Sequence, residues 1–389
     1  MKSILYIFKG KYPWDIRVDK FTKSFIEAGF QVVILSRWLS DLTETDKSEN
    51  LIIKRVGFKL PSYFSLPVSN NPIWKKAIKN AIIEFTPSII IARDIMLAEA
   101  SADIGHKFKL PVLMDMAENY PAAMREWKKY NKTLTRRFIV HKLKIPDLFE
   151  RNSVSKVDGI ITVCQEQNQR LIDTYDYPKD KIVVVHNTPY KEFCENIRLG
   201  TAEPPMVFGH HGNMTAEKSV INFVKGFLIA AAQNKNIKLF LAGEGEDYDE
   251  VKKLVGESNY KERVVLTGEY KYDEIKKILS SIDIGVIPYQ PNDFNNYTIH
   301  NKVFDFFAAG KPIIYSPCKP LIRLNQETDS GFILENTEPE TISKMILKIS
   351  ESNPKKQAEN SFNLFKNKYN WEIDSSNLLK FINSFIKND

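Results

Sequence analysis

Residues 3–37, SILYIFKGKYPWDIRVDKFTKSFIEAGFQVVILSR, contain the repeating unit of the fold. Two apolar, β-branched runs over residues 3–8 and 31–37 flank a helical pattern over residues 17–28, which ends at Gly29. Runs that stay apolar, instead of alternating with polar residues, are typical of strands buried on both faces of a parallel sheet. A glycine after the last helical residue is a common helix stop. The stretch therefore predicts a strand, a crossover helix and a second, parallel strand.

The same alternation continues along the chain and predicts two domains. Further strands are predicted over residues 51–56, 88–92, 112–115, 159–163 and 181–185. After a break near residues 188–205, a second set is predicted over residues 206–210, 238–242, 264–267, 284–288, 312–315 and 332–334. The 389 residues suffice for two domains.

The expected fold class is α/β, with two Rossmann-like, doubly wound parallel sheets facing a cleft. We predict a first domain over residues 1–190 and a second over residues 203–369. Residues 353–389 show only helical patterns, and the helix at about 370–389 is expected to pack back on the first domain. Ligands of such folds bind beyond the carboxyl ends of the strands, so candidate residues are sought in the loops that follow them.

Composition limits the class of protein. Hydrophobic residues make up 43% and charged residues 26%, as in ordinary globular enzymes. Cys164, Cys194 and Cys318 form no metal-spaced or disulfide pattern, which predicts no metal site and a reducing compartment. The first apolar run is too short for a signal peptide, and no stretch reaches the roughly 20 apolar residues of a membrane-spanning helix. The expected location is the cytoplasm.

The net charge of +7 is concentrated in residues 125–144, which hold eight Lys and Arg residues and one acid, Glu126. Trp127, Leu134 and Phe138 lie among these charges. The mixture predicts either a helix with a solvated face or an interfacial helix on the anionic inner leaflet of the cell membrane. A nucleic-acid partner would also explain the charge, but no recognised nucleic-acid-binding module accompanies it, so none is expected.

Loops after predicted strands in the second half suit phosphate. Residues 209–218 place Gly212 and Asn213 in a turn before a helix expected to start near residue 215, with Lys218 in its first turn. An ordinary strand-to-helix turn would look the same. Residues 241–246 supply Gly243 and Glu244 but lack the third glycine of the dinucleotide fingerprint, which disfavours a nicotinamide cofactor.

Two later loops complete the candidate donor site. Tyr270, after the strand over 264–267, could flank a base. In residues 297–312, YTIHNKVFDFFAAGKP, the side chains of His300, Asn301 and Lys302 open a helix. Asp305 follows one turn later, where a carboxylate could accept hydrogen bonds from ribose hydroxyls. The phenylalanines of this helix are expected in the core.

The string NKVFDFFAAGKPII, residues 301–314, resembles the donor-site segment of the family 4 retaining glycosyltransferases, nucleotide-sugar enzymes with the two-Rossmann GT-B fold. Residues 157–163 and 181–187 are similar to the end of that family's acceptor domain. Residues 212–218 and 242–245 look like its two diphosphate loops, and residues 281–289 like the strand before its donor loop. The resemblance implies retaining, hexosyltransferase-type transfer from a nucleotide-diphosphate sugar to a glycan or lipid-linked acceptor, in surface polysaccharide biosynthesis. It implies no metal and no cofactor beyond the sugar nucleotide.

The resemblance also implies roles for residues. The predicted catalytic residues are Lys218 and Lys302, which would stabilise the departing diphosphate, and Glu118. The predicted donor-binding residues are Gly10, Gly212, Asn213, Lys218, Gly243, Glu244, Tyr270, Tyr297, His300, Asn301, Lys302 and Asp305. The predicted acceptor-binding residues are Lys9, Lys11, Asp15, Arg17, Glu118 and Asn119. Arg17 could equally cap or pair within its own helix.

Some positions depart from the family pattern. Tyr297 stands where a glutamate is frequent, Asn213 where an arginine is frequent, and Ala117 where a histidine is frequent. A sugar-nucleotide epimerase of the same architecture, which would use the same donor site, stays open as an alternative, with Glu118 and Glu244 as its candidate acid and base.

Overall fold

The computed structural model describes residues 2–13, 15–39, 42–199 and 204–386. Residues 1, 203 and 387–389, at the limits of the predicted domains, lie outside the described residues. The strands are β1 (Ser3–Ile7), β2 (Gln31–Arg37), β3 (Thr45–Lys47), β4 (Leu51–Val56), β5 (Ile89–Arg93), β6 (Val112–Asp115), β7 (Gly159–Thr162), β8 (Ile182–Val184), β9 (Met206–His211), β10 (Ile237–Ala242), β11 (Val264–Leu266), β12 (Ile284–Ile287), β13 (Ile313–Tyr315) and β14 (Gly331–Ile333).

Helices connect most of these strands. The α-helices are α1 (Ile16–Glu27), α2 (Pro72–Phe85), α3 (Ile95–Gly105), α4 (Tyr120–Glu126), α5 (Lys128–Asn131), α6 (Leu134–Arg137), α7 (Ile145–Val154), α8 (Gln165–Tyr175), α9 (Val220–Ala231), α10 (Tyr248–Gly256), α11 (Ile275–Ser280), α12 (Lys302–Ala308), α13 (Lys319–Thr328), α14 (Pro339–Ser350), α15 (Lys355–Asn367) and α16 (Trp371–Asn383). Among the described residues, none of these helices is long and apolar enough to cross a lipid bilayer.

The chain divides into two compact units. The first comprises Met1–Val185 together with Asp374–Asp389, and the second comprises His186–Ile373. Each unit has its own sheet and its own buried core. The prediction of two parallel α/β sheets is confirmed.

The first unit contains an eight-stranded sheet in the order β3-β4-β2-β1-β5-β6-β7-β8. All its neighbours pair in parallel except β3, which runs antiparallel to β4 at the edge. The sequence did not predict β3, because its three polar residues show no strand periodicity. The direction of strand addition reverses between β1 and β5, which makes their carboxyl ends the switch point where ligands of such sheets bind.

The unit opens with the predicted strand, helix and strand. Asp15 ends the loop after β1, and its carboxylate accepts hydrogen bonds from the backbone N–H groups of Arg17 and Val18, so that α1 starts at Ile16. Helix α1 buries Val18 and Phe21 beneath the sheet, and Gly29 with φ +85° turns the chain into β2. Local capping and a buried stripe thus produce the predicted order.

The second unit contains a six-stranded, fully parallel sheet in the order β11-β10-β9-β12-β13-β14. This is the strand order of dinucleotide-binding sheets, and its switch point lies between β9 and β12. Phe304, Phe306 and Phe307 of α12 are fully buried, which confirms that they belong to the core. A Cβ on Gly285 of β12 would lie 2.6 Å from the ring of Phe306, so this glycine lets α12 approach the sheet closely.

The last helix, α16, begins in the second unit and ends in the first. Trp371, at the start of α16, donates its backbone N–H to the carbonyl of Pro189 within the second unit. Further along, the rings of Phe381 and Phe385 pack against Gly159 of β7, where a Cβ would lie within 3.1 and 2.7 Å of them. The end of the chain thus contributes to the core of the first unit.

The structure corrects the expectation that residues 125–144 form a helix. They do not form one helix. Extended backbone at Trp127 and Thr133 (ψ 123° and 149°) separates α4, α5 and α6, and a π-helical turn over Phe138–Lys142 follows. The side-chain amide of Asn131 donates to the carbonyls of Arg125 and Trp127 and so fixes the first break.

Candidate active site

Three glycine turns at the carboxyl edge of the second sheet lie against one another. Gly212 donates its N–H to the carbonyl of Ala242 (2.8 Å), and Gly243 donates to the carbonyl of Gly268 (2.7 Å). The turns have positive φ values of +102°, +122° and +72° at these three glycines. A Cβ on Gly243 would lie 2.1 Å from the oxygen of Gly212, so side chains larger than hydrogen would separate the turns. The result is a rim of backbone atoms after β9, β10 and β11.

Lys302 lies directly over the first of these turns. A Cβ on Gly212 would be 2.4 Å from Cε and 2.6 Å from Nζ of Lys302. Since Gly212 follows β9 and Lys302 follows the neighbouring β12, the switch point brings them together. Burial and then the charge of Lys218 lower the pKa of Lys302 to about 7, while Asp305 opposes the shift. The positive charge of this side chain is therefore costly where it lies.

Lys218 approaches the same place from another turn. Residues Ala216–Lys218 form a single 3-10 turn, and α9 begins only at Val220, because Ser219 adopts a left-handed conformation (φ +47°). Lys218 thus precedes the helix, whereas the sequence placed it in the first helical turn. Its Nζ lies 3.8 Å from Oε1 of Glu217, and its charge lowers the pKa of His300 as well as that of Lys302.

Two buried histidines flank the lysine pair from the end of β9. Burial, followed by Lys302, lowers the pKa of His210 to about 3 and that of His211 well below its usual value, so both rings are neutral at neutral pH. Nδ1 of His210 lies 2.9 Å from the carbonyl of Val286, so this nitrogen carries the proton. Among the described atoms, neither Nε2 has a hydrogen-bond partner.

Asp305 and Tyr270 stand beside His211. The Nε2 of His211 is 3.7 Å from Oδ2 of Asp305, which is too far for a hydrogen bond, and the neutral ring makes no ion pair with it. Nδ1 of His211 lies 3.1 Å from the hydroxyl of Tyr270. Burial and then Asp305 raise the pKa of Tyr270 to about 12. The predicted donor residues Asp305 and Tyr270 are thus close to each other.

Asn295, which the sequence did not predict as a site residue, connects two of the predicted loops. Its Nδ2 donates to the carbonyls of Glu217 (3.0 Å) and Gln290 (2.8 Å), and its Oδ1 accepts from Nε2 of His300 (2.9 Å). It therefore ties the Lys218 turn to the loop that precedes α12. An asparagine in a loop ordinarily signals a turn, so no local pattern distinguished this one.

The remaining predicted donor residues lie at the edge of this cluster. Asn213, Glu244 and Asn301 are exposed on their loops. Tyr297 is half-buried, and its hydroxyl lies 3.3 Å from Nζ of Lys319. Gly10 lies in the first unit. A Cβ on it would lie 2.6 Å from the ring of Phe8, so this glycine lets the backbone approach the ring closely. Among the described residues, no group of three or more His, Cys, Asp or Glu side chains is placed to hold a metal ion.

In the first unit, the switch point is occupied by Lys9, Asp94 and Tyr120. Nζ of Lys9 lies 2.9 Å from Oδ2 of Asp94 and 3.8 Å from the centre of the Tyr120 ring. The hydroxyl of Tyr120 donates to the same Asp94 oxygen (2.6 Å). Lys9 was predicted, but Asp94 and Tyr120 were not. Asp94 adopts an uncommon φ of +66°, which only the structure reveals.

Arg17 requires a correction. Its side chain is only 3% exposed. It donates through Nε and Nη2 to Asp115 (2.9 and 2.7 Å), and through Nη1 to the carbonyl of Val185 (3.0 Å). Burial raises the pKa of Asp115, but Arg17 and Arg93 outweigh it and hold that pKa below its usual value. Arg17 therefore ties α1 to the end of β6, and it pairs outside its own helix, contrary to the expectation of a pair within that helix.

The other predicted acceptor residues have mixed positions. Asp15 caps α1 and lies 3.4 Å from Arg93, and Asn119 caps α4 through the N–H of Ala122. Both side chains thus have structural partners. Lys11 and Glu118 are half-buried in the loops after β1 and β6.

Comparison with known proteins identifies the class. The model of "Glycosyltransferase Family 4" matches residues 16–188, and that of "Glycosyl transferases group 1" matches residues 205–352. The two matches fall on the first and second unit, respectively. The chain is thus a GT-B glycosyltransferase by class. Within that class it belongs to the family 4 type, as its sequence motifs indicated.

Individual relatives and solved structures agree with this class of protein. The chain is 26% identical over 165 residues to the uncharacterized glycosyltransferase MJ1069 of Methanocaldococcus jannaschii, covering 41% of each chain. It is 23% identical over 195 residues to MJ1607 of the same organism, covering 47% of this chain and 48% of that one. The matches thus span less than half of these relatives. Sucrose-phosphate synthase from Thermosynechococcus elongatus has the same fold (TM-score 0.73, 14% identity, 99% of both chains). So does Anabaena HepE, solved in complex with UDP (TM-score 0.71, 11% identity, 99% of this chain and 100% of that one).

Proposed function

We propose that the chain transfers a sugar from a nucleoside-diphosphate sugar to a glycan or lipid-linked acceptor, with retention of configuration, in the assembly of a surface polysaccharide. One observation carries the proposal: Lys218 and Lys302 converge beside the Gly212 turn and next to Asp305. Two cations and a concave backbone turn suit a diphosphate, and a carboxylate beside them suits ribose hydroxyls. Anabaena HepE, which shares the fold, was solved with UDP and glucose.

The lysines act on the leaving group. As the bond to the sugar breaks, negative charge grows on the diphosphate while the sugar becomes oxocarbenium-like. Lys218 and Lys302 stabilise that charge, which is stronger in the transition state than in the bound substrate. We assign no protein nucleophile. In a front-face displacement, the leaving phosphate takes the acceptor proton, and the new bond forms on the face from which the old one departs.

The acceptor is assigned to the first unit. Lys9 lies at its switch point, and Glu118 is close enough to Tyr120 and to Lys129 to affect the pKa of each. We further propose that the basic residues within 125–144 hold the protein on an anionic inner leaflet. Each such residue near the surface contributes about 1 kcal/mol of attraction.

Turnover of sugar nucleotides tests the transferase proposal. Nucleoside diphosphate release is measured over a panel of sugar nucleotides, with and without acceptor and with and without EDTA, and the anomeric configuration of the product is read by NMR. Lys302→Ala and Lys218→Ala should each lower kcat by about a hundredfold, as the loss of an oxyanion donor does. Lys277→Ala, a change at an exposed lysine of α11, is the matched control. Epimerised sugar nucleotide without release, or unchanged kcat in both variants, contradicts the proposal.

Donor binding gives a second readout. Asp305→Ala should weaken sugar-nucleotide binding by about 1–3 kcal/mol through lost hydrogen bonds to a charged group.

Membrane attachment is tested separately by co-sedimentation with anionic vesicles. A variant with Lys128, Lys129, Arg136 and Arg137 changed to glutamine should remain in the supernatant at low salt. Equal pelleting with the parent chain contradicts the docking proposal.

A further inference from the structure

An apolar cavity lies in the first unit, lined by residues of α4 to α7. It has a volume of about 350 Å³, within the size range of small-ligand sites. Its apolar lining includes Met124, Tyr130, Ile139, Val140, Ile145 and Phe149. Lys129 and Arg136 also line it, and both side chains are exposed. The cavity is thus apolar with two cations at its mouth.

The surface around this cavity is unusual for a soluble protein. Every residue from Lys132 to Ile139 is exposed. Leu134 is 83% exposed and Phe138 is 55% exposed. Isolated exposed apolar residues are ordinary, but several around one apolar cavity mark a binding surface. The breaks at Trp127 and Thr133 that interrupt α4, α5 and α6 fold the segment around the cavity.

The two cations are held at the entrance. Nη1 of Arg136 donates to the carbonyl of Lys129 (2.9 Å). Nζ of Lys129 lies 4.4 Å from the centre of the Trp127 ring and 5.0 Å from that of Tyr130. Partial burial and then the charge of Lys9 lower the pKa of Lys129. An anion between Lys9 and Lys129 would relieve the repulsion between their charges.

Aromatic side chains connect the cavity to the switch point of the same sheet. Tyr120, which touches Lys9, has its ring centre 6.1 Å from that of Trp127. Trp127 stacks on Tyr130 at the same distance, and Tyr130 lines the cavity. A molecule with one end at Lys9 could therefore extend along these rings and place an apolar chain in the cavity.

We propose that this cavity binds the hydrocarbon chain of a lipid phosphate or diphosphate that carries the acceptor sugar, with Lys129 and Arg136 on its phosphate. The inference rests on the proposed transferase function and narrows its acceptor to the lipid-linked class. Charge complementarity selects an anionic lipid, because the segment over 125–144 carries eight basic residues against one acid. A cavity of about 350 Å³ with an apolar lining suits a single hydrocarbon chain better than the surface of a bilayer.

Calorimetric binding of farnesyl diphosphate, a short isoprenoid diphosphate, to the full chain tests this inference. Inorganic diphosphate is the headgroup-only control. The parent chain should bind farnesyl diphosphate at least about a hundredfold more tightly than inorganic diphosphate, since each buried methylene adds to affinity. Ile139→Glu places a charge at the cavity, and Lys129→Ala combined with Arg136→Ala removes the cations. Each should weaken binding by about tenfold or more.

The matched control is Leu148→Glu, which changes a side chain that is also exposed (48%) but lies outside the lining. It should bind like the parent chain. Equal binding in all variants, or no preference for farnesyl over inorganic diphosphate, overturns the inference. So does binding confined to phosphatidylglycerol vesicles and lost equally in Ile139→Glu and Leu148→Glu, since the occupant would then be bulk bilayer lipid. No sugar nucleotide is present, so failure here is distinct from failure of sugar transfer.

Discussion

Binding of the donor should be coupled to proton uptake by Lys302. In the free protein, burial and Lys218 lower the pKa of Lys302 to about 7. A bound diphosphate places negative charge beside Nζ, which favours the ammonium form and raises that pKa toward its usual value of about 10.5. Between the two values, the free side chain is mostly neutral and the bound one is charged. Binding in that range must therefore take up a proton, and the affinity must fall as the pH rises.

The size of the effect follows from the free pKa. With a pKa of about 7, Lys302 is roughly nine-tenths charged at about pH 6 and roughly one-tenth charged at about pH 8. Proton uptake should rise from about 0.1 to about 0.9 per site over this range, and Kd should weaken by about tenfold. His210, His211 and His300 do not add to it, because burial has lowered the pKa of each and leaves the rings neutral.

Isothermal titration calorimetry in buffers of different ionisation enthalpy measures this uptake. The ligand is an intact sugar nucleotide, because its diphosphate does not titrate near neutral pH. Lys302→Met should abolish the uptake, whereas Lys277→Met, at an exposed lysine of the same unit, should retain it. Negligible uptake by the parent chain at about pH 8, or equal uptake by Lys302→Met, would refute the reasoning.

Three further substitutions, one of them a control, test the packing. Gly212→Ala forces a side chain onto Lys302 at a φ of +102° and should cost about 1–3 kcal/mol of unfolding free energy in urea, with weakened donor binding. Gly256→Ala, whose Cβ would meet no atom within 4 Å, should change stability by less than about 1 kcal/mol, and equal losses in both would contradict this account. Arg17→Ala leaves the buried carboxylate of Asp115 without its bidentate partner and should destabilise the chain by about 3–5 kcal/mol; a loss below about 1 kcal/mol would show that Arg17 is not needed.

Much of the fold was predictable because its signals are local. A strand buried on both faces is a continuous apolar run, and a helix stop is a single glycine, so residues 3–37 were sufficient to define the unit of the first sheet. The strand β3 has neither signal. Residues 125–144 differ from their prediction for another reason, since their helical composition does not encode the extended backbone at Trp127 and Thr133.

The candidate site was predictable where its residues follow strands and not where it depends on distant partners. Gly212 stands in the turn after β9, and Lys302 and Asp305 stand in the first turn of α12, which parallel-sheet topology brings to the same edge. The partners of Arg17 lie far away in sequence, at Asp115 and Val185, so no local pattern could predict its burial. The role of Asn295 likewise arises from contacts that no local pattern encodes.

The arrangement around Lys302 suggests why the free site is costly to the fold. A lysine whose folded pKa lies below its unfolded value of about 10.5 destabilises the folded state fully below about pH 7, and the cost disappears as the pH rises toward the unfolded value. Gly212, held at positive φ, gives Lys302 the space it occupies, and Lys218 adds repulsion. A diphosphate would offset the burial of the Lys302 charge and its repulsion by Lys218, because it supplies negative charge. The contacts that destabilise this unit are therefore those through which a nucleotide donor would stabilise it.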